Sequence, residues 1–217
     1  MRIALIHAVR VAMDPVDEAF ARLWPEARSV HLLDDSLSTD LARDGAITQA
    51  MTGRFVTLAR YAHQTGADGI LFTCSAFGPC IEAAAETVPI PVLKPNEAMF
   101  REGARAGTRV GLLASFAPSL PPMEAEFRAI APSVALETAC APDAMVALNA
   151  GDGARHDQLL AQAAEALDGC DAIMLAQFST ARARKVVAEA VGLPVLTSPD
   201  SAVRAMRFSL LGGDGAP

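Results

Sequence analysis

The sequence predicts an α/β protein of two half-domains, each with a mostly parallel four-stranded sheet flanked by helices. Short continuous apolar runs alternate with helix-length segments rich in Ala, Leu, Arg and Glu, a pattern typical of parallel strands covered on both faces. The chain also repeats itself: Gly66–Cys74 resembles Gly169–Gln177 at an offset of 103 residues, which continues from Pro91–Leu93 to Pro194–Leu196. We therefore expect two halves related by a pseudo-twofold axis.

The apolar runs give the positions of the predicted elements. Strands are predicted at 3–7, 30–33, 69–73, 91–93, 109–114, 134–137, 172–176 and 194–196. Helices are predicted at 15–23, 47–63, 97–106, 123–130, 156–167, 182–191 and 201–210. We expect the last helix to pack back on the first half, so the predicted half-domains are 1–96 plus 200–217 and 97–199. Residues 212–217 are predicted to form a frayed tail.

Composition and motifs exclude several classes of function. A net charge of −7 and a pI near 5.1 give no support to nucleic-acid binding, and no apolar run approaches the roughly 20 residues that cross a bilayer. The four cysteines lack metal-ligand spacing and the density of a disulfide scaffold, which predicts a reduced, cytoplasmic location. No phosphate-binding, zinc or serine-hydrolase motif is present, so we predict no cofactor and no metal. A homo-oligomer stays one alternative for the assembly state.

Cys74 is the predicted catalytic residue. It lies where a strand turns into a helix, and open α/β sheets bind ligands beyond the carboxyl ends of their strands. The free amides and positive end of a following helix would favour the thiolate and lower the pKa of Cys74. The alternative is that the thiol fills a small buried space. Cys80, Cys140 and Cys170 are interpreted as packing residues.

Gln177 is the repeat equivalent of Cys74, and we expect the two residues on opposite walls of a shared cleft. An amide cannot exchange protons near neutral pH, but it donates and accepts hydrogen bonds. Gln177 could therefore orient a substrate oxygen, or it could cap its own turn. The hydroxyls near the two strand ends are candidate substrate ligands or helix caps; they are Thr73, Ser75, Ser179 and Thr180.

The first strand of each half ends on a further candidate. His7 closes the first strand and is either a structural histidine or a partner base for Cys74. Ser115 follows the corresponding strand of the second half. Arg10 and Lys94 are candidates for a substrate carboxylate, although each is first interpreted as a surface charge, as is Glu97.

The duplicated halves and the Thr73-Cys74-Ser75 turn resemble the aspartate/glutamate/hydantoin racemase superfamily over essentially the whole chain. The resemblance implies one cysteine from each half, with one thiolate removing a proton from the substrate's α-carbon and the opposing thiol returning one. In this chain the second motif, residues 176–180, carries Gln177 instead. The sequence also resembles arylmalonate decarboxylases, in which a single thiol protonates an enediolate, but there the cysteine lies in the second half.

These observations lead to one functional hypothesis and two alternatives. We predict a cofactor-independent racemase or isomerase that transfers a proton at a carbon α to a carboxylate, with Cys74 as the single catalytic cysteine. The substrate would be a small acid of the amino-acid, hydantoin or dicarboxylate type, whose enolate charge the amides and hydroxyls at the two helix starts would stabilise. The alternatives are a stereospecific decarboxylase of the arylmalonate type and a non-catalytic binder of small acids.

Overall fold

The computed structural model describes residues 1–212, and eight strands and ten α-helices lie within that range. The strands are β1 (Arg2–His7), β2 (Arg28–Leu33), β3 (Gly69–Phe72), β4 (Val92–Leu93), β5 (Arg109–Ala114), β6 (Ala135–Cys140), β7 (Ala172–Leu175) and β8 (Val195–Thr197). The helices are α1 (Met13–Leu23), α2 (Ser36–Asp44), α3 (Gln49–Gln64), α4 (Gly78–Ala85), α5 (Glu97–Ala106), α6 (Leu120–Ile130), α7 (Pro142–Asn149), α8 (Gly153–Ala164), α9 (Arg184–Val191) and α10 (Ser198–Leu211).

The strands form two parallel sheets with the same topology. The first has the order β2-β1-β3-β4 and the second β6-β5-β7-β8. Their registers also correspond, because Ile70 pairs with Val92 and Ile173 pairs with Val195, each residue 103 positions from its counterpart. The predicted fold class is thereby confirmed.

One carboxylate in each half ties the start of the first strand to the start of the third. Asp68 accepts a hydrogen bond of 2.7 Å from the backbone amide of Arg2. Its repeat equivalent, Asp171, accepts from the amides of Thr108 and Arg109 at 2.7 and 3.0 Å. The two halves therefore share a carboxylate–amide hydrogen bond that fixes the strand register.

Each half has its own apolar core. In the first, Phe55 from α3 lies 5.2 Å from Phe72 at the end of β3 and 5.0 Å from Phe77, measured between ring centroids. In the second, the rings of Phe100 and Phe127 meet edge to face at 5.6 Å. The central strands β3 and β7 are buried along their whole length, which explains their continuous apolar sequences.

The structure differs from the predicted elements in a few places. The short helices α2, α4 and α7 lie outside the predicted ranges, although a helix is expected to begin after Cys74. Within α2 and α7 a single residue is buried, Leu37 or Ala144. The chain forms two compact units, one of Met1–Pro95 with the chain from Ala202 onward and the other of Asn96–Ser201. The predicted half-domain boundaries at 96/97 and 199/200, and the cleft between the halves, stay predictions. Apart from Gly212, the predicted tail lies outside the described residues.

None of the helices among residues 1–212 is both long enough and apolar enough to cross a membrane.

The strand order places a switch point in each sheet. In the first sheet β2 lies on one side of β1 and β3 on the other, and in the second sheet β6 and β7 flank β5 in the same way. The switch points are therefore between β1 and β3 and between β5 and β7. Ligands of such sheets bind there, beyond the carboxyl ends of the strands. His7 ends β1, and Thr73 and Cys74 follow β3. Ser115 and Gln177 follow β5 and β7. The predicted site residues thus lie at the switch point of their own sheet.

Candidate active site at the two strand switch points

Cys74 lies two residues beyond the end of β3, in extended backbone with φ −116° and ψ 116°. It is the N-cap of a single 3-10 turn, Ser75–Phe77, and α4 begins only at Gly78. The side chain is partly exposed and packs against the apolar core of the first half. A thiol so placed can reach a ligand at the switch point.

The predicted lowering of the thiol's pKa is wrong. Burial raises the pKa of Cys74, and a hydrogen bond with the backbone of Ala76 opposes this effect only in part. The physical reason is the removal of the sulfur from water, since the side chain packs against the apolar core of the first half. Cys74 is therefore a protonated thiol at neutral pH, suited to giving a proton away.

His7 and Thr73 meet directly at the carboxyl ends of β1 and β3. The Nδ1 atom of His7 lies 2.8 Å from the Oγ1 atom of Thr73, and both residues are buried. The Thr73 hydroxyl also lies 3.5 Å from the carbonyl oxygen of Ile6, which is a longer contact than the one with His7. Two of the predicted substrate ligands thus form a hydrogen-bonded pair.

A second histidine, absent from the predicted site, continues this contact. Nδ1 of His31 lies 3.0 Å from Nε2 of His7, with the ring planes 13° apart and the ring centroids separated by 5.2 Å. Nε2 of His31 lies 3.1 Å from the carboxylate of Asp17 on α1. The signal in the sequence was weak. His7 pairs with Leu33 on the neighbouring strand, and His31 lies two positions before Leu33. Residues two apart on a strand point to the same face, so both imidazoles share one face of the sheet. The sequence alone does not give this register.

Burial decides the charge of His7. Its side chain is removed from water, and this burial, together with the neighbouring His31, lowers the pKa of His7 from the usual 6.5 to about 4. The ring is therefore neutral throughout the physiological range. A neutral imidazole has one donor and one acceptor nitrogen, so His7 can pass a proton on but does not hold a positive charge.

Gln177 holds the switch point of the second half together. Its Oε1 accepts hydrogen bonds from the backbone amide and the hydroxyl of Ser115 at 2.9 and 3.3 Å. Its Nε2 donates to the hydroxyl of Ser119 at 2.8 Å. Ser119 in turn donates to the carbonyl of Phe116. The amide therefore joins the ends of β5 and β7, which supports the structural alternative for this residue.

The other predicted hydroxyls differ in their surroundings. Thr180 is buried and donates to the carbonyl of Gln177 at 2.7 Å, which is a local turn contact. Ser179 is buried in the same turn, and Ser75 is partly exposed beside Cys74. The use of these three residues by a substrate stays a prediction.

Nearby charged residues form ion pairs. Arg10 lies 3.2 Å from Asp35, Lys94 lies 3.1 Å from Glu82, and Glu97 pairs with Arg101 one helical turn away. These contacts support their interpretation as surface charges.

The remaining cysteines lie outside the candidate site. All four cysteines are free, and Cys80 is buried in α4, 3.4 Å from the Thr52 hydroxyl. Among residues 1–212, no three His, Cys, Asp or Glu side chains converge so as to hold a metal ion.

One comparison with known proteins identifies a family. Residues 12–206 match the sequence model of the family described as Asp/Glu/Hydantoin racemase. No sequence among the curated proteins matches the chain significantly.

Solved structures share the fold. The chain is similar to the allantoin racemase of Pseudomonas fluorescens, with a TM-score of 0.73 and 15% identity over 100% of this chain and 94% of that one. For the aspartate racemase of Picrophilus torridus the values are 0.72 and 13%, over 96% and 94%. A liganded arylmalonate decarboxylase variant, with one glycine changed to cysteine and one cysteine to serine, gives 0.68 and 21%, over 100% and 95%. At such identities these likenesses show the fold alone.

Replacing His7 by Gln tests whether the ring is buried in its neutral form. The unfolded chain takes up a proton near pH 6.5, whereas the folded ring stays neutral down to about pH 4, so the free energy of unfolding falls as the pH is lowered through this window. We expect His7 to account for a loss of about 3 kcal/mol. Urea unfolding at several pH values should show this slope in the wild type and in the control His63→Gln, but not in His7→Gln. An unchanged slope in His7→Gln would contradict the assignment.

Replacing Gln177 by Ala tests its structural role. The buried amide and hydroxyl of Ser115 and the hydroxyl of Ser119 would lose their partner, so we expect the free energy of unfolding to fall by about 1–3 kcal/mol. Gln162→Ala, at an exposed position of α8, is the matched control and should leave stability within about 0.5 kcal/mol. Urea unfolding measures both. Equal stability of the two variants would show that the contacts of Gln177 do not hold the turn.

Proposed function

The chain belongs to the Asp/Glu/hydantoin racemase family, and from this premise we propose that it transfers a proton at a carbon atom next to a carboxylate or similar carbonyl group. Cys74 is the proposed acid/base, and the chemistry requires no cofactor. The observation that carries the proposal is the position of this thiol at the carboxyl end of β3, at the strand switch point, where α/β sheets bind their ligands.

The protonation state of Cys74 favours one direction of transfer. Because burial raises its pKa, the sulfur holds a proton at neutral pH and is a donor in the resting protein. An enolate, formed when a base at the site removes the α-proton, or an enediolate, formed when carbon dioxide leaves, would take this proton on carbon. The thiolate left behind would then be reprotonated from solvent.

The second half supports transfer to one face. A racemase with two thiols needs an acid/base group on each side of the substrate, whereas Gln177 stands at the position equivalent to Cys74 and cannot titrate. Its hydrogen bonds to Ser115 and Ser119 also engage the amide within its own half. We therefore infer that Cys74 is the only thiol that exchanges a proton with the substrate.

A decarboxylase is the second candidate, and the raised pKa of Cys74 favours it. In that reaction the bond from the α-carbon to one carboxylate breaks, carbon dioxide leaves, and the electron pair becomes the enediolate. The proton of the Cys74 thiol then forms the new C–H bond. The reaction needs a donor and no base, which matches a thiol that stays protonated.

Activity in heavy water tests the proposal. The wild type is incubated with a panel of amino acids, hydantoins and monosubstituted malonates, and deuterium at the α-carbon is followed by NMR. We expect exchange or decarboxylation with at least one class, and Cys74→Ser should lower its rate by about 10²–10⁴-fold because a positioned proton donor is lost. Cys80→Ser makes the same chemical change in a buried packing residue and should keep most of the activity.

Three outcomes would contradict parts of the proposal. Equal losses in Cys74→Ser and Cys80→Ser, at equal thermal stability, would show that Cys74 has no special role. Binding of small acids without deuterium incorporation in any class would indicate the non-catalytic binder instead. Deuterium placed on both faces of one substrate would overturn the one-sided mechanism.

A further inference from the structure

Four side chains of the first half form a continuous line of hydrogen bonds from α1 to the carboxyl end of β3. The order is Asp17, His31, His7 and Thr73, with successive distances of 3.1, 3.0 and 2.8 Å. The side chain of Asp17 is 46% exposed and that of His31 24%, whereas His7 and Thr73 are 1% and 5% exposed. One end of the line therefore meets solvent and the other lies at the switch point.

The direction of every hydrogen bond follows from the acceptor at the outer end. The ionised carboxylate of Asp17 can only accept, so Nε2 of His31 carries a proton. In neutral His31 the Nδ1 atom is then an acceptor, and Nε2 of His7 must donate to it. This leaves Nδ1 of His7 as an acceptor for the hydroxyl proton of Thr73. All three bonds point outward, from the site to the surface.

This inference rests on the proposed function: we propose that the line is a proton wire, and that the Thr73 hydroxyl at its inner end is a second proton-exchange group of the active site. A proton leaving the ligand bonds to Thr73 Oγ1, while the hydroxyl proton moves to Nδ1 of His7. The Nε2 proton of His7 moves to Nδ1 of His31. One proton has left the ligand, and His31 has gained one.

The charge thereby ends where it is best solvated. Positive charge on His7 is disfavoured by burial, which lowers its pKa to about 4, and the ring stays neutral at the end of the transfer because it has exchanged one N–H for the other. The imidazolium forms on His31, which is partly exposed and 3.1 Å from the carboxylate of Asp17. Run in reverse, the wire delivers a proton to the ligand.

The charged groups around the wire are few. Asp17 on α1 faces His31, and the two imidazoles face each other. Arg2 and Arg28 are register partners at the opposite, amino ends of β1 and β2. Beyond the carboxyl ends, Arg10 pairs with Asp35, and Arg54 on α3 pairs with Asp34 and Asp40. Thr73, with its hydroxyl, and Cys74, with its thiol, follow the neighbouring strand β3.

Nitrogen-15 NMR of the free protein tests the wire without any substrate. Resonances of the four histidines are assigned with His7→Gln, His31→Gln and His63→Gln. At neutral pH we expect the proton of His7 on Nε2. As the pH is lowered and His31 becomes doubly protonated, the proton of His7 should shift to Nδ1 while that ring stays neutral. A His7 ring protonated on Nδ1 at neutral pH, or one that keeps its tautomer while His31 titrates, would overturn the wire.

Asp17→Asn tests the outer anchor. Without the carboxylate, the imidazolium form of His31 loses its ion-pair partner, so the pH at which His7 changes tautomer should fall. Glu18→Gln removes one charge from the neighbouring, exposed position of the same helix and should leave that pH unchanged. Equal shifts in the two variants would show a general charge effect and contradict the specific contact.

The role of Thr73 is tested with the substrate found by the deuterium screen. Thr73→Val keeps the shape but removes the hydroxyl, and should lower kcat for α-proton exchange about tenfold or more, with Thr73→Ser restoring most of it. His31→Gln should lower kcat and remove one pH-dependent step while leaving KM unchanged. If Thr73→Val and His31→Gln both keep the kcat and the pH profile of the wild type, the catalytic role of Thr73 is overturned. Loss of activity in Cys74→Ser is a separate result, so the two proposals can fail independently.

Discussion

Burial of the His7 imidazole at the carboxyl end of β1 is the constraint on which the rest of the site depends. A charged ring is too costly there, as the pKa of about 4 indicates, so His7 must take one donor and one acceptor partner. Thr73 and His31 supply them. The same constraint orients the hydroxyl of Thr73, the residue that precedes Cys74 in the chain.

The duplicated fold explains why the two switch points are alike in position and different in chemistry. Equal strand order and register place Cys74 and Gln177 at equivalent points of their own sheets. One half combines a protonated thiol with a buried histidine, His7, and its partly exposed partner His31. The other half uses its amide to join Ser115 and Ser119. Of the residues at the two switch points, the titratable Cys74 and His7 belong to the first half, which is why we place the proton chemistry there.

Much of the fold was predictable because its signals are local and repeated. Buried strands such as β3 and β7 are continuous apolar runs, and the 103-residue offset shows the duplication directly. The site was only partly predictable, since His31 joins His7 through the register of two strands that no short motif encodes. The pKa of Cys74 was predicted in the wrong direction because the sequence does not show how far packing against the core removes the thiol from water.

The protonation state of Cys74 is the central claim, because it decides whether the resting thiol gives or takes a proton. The most direct measurement is the pH dependence of thiolate absorbance in the wild type minus that in Cys74→Ser. We expect the thiolate absorbance of Cys74 to rise at a pH above the pKa of roughly 8.5 of an unperturbed cysteine, so that the thiol is protonated at neutral pH. A midpoint below neutrality would show a resting thiolate, and would contradict the role of Cys74 as the proton donor.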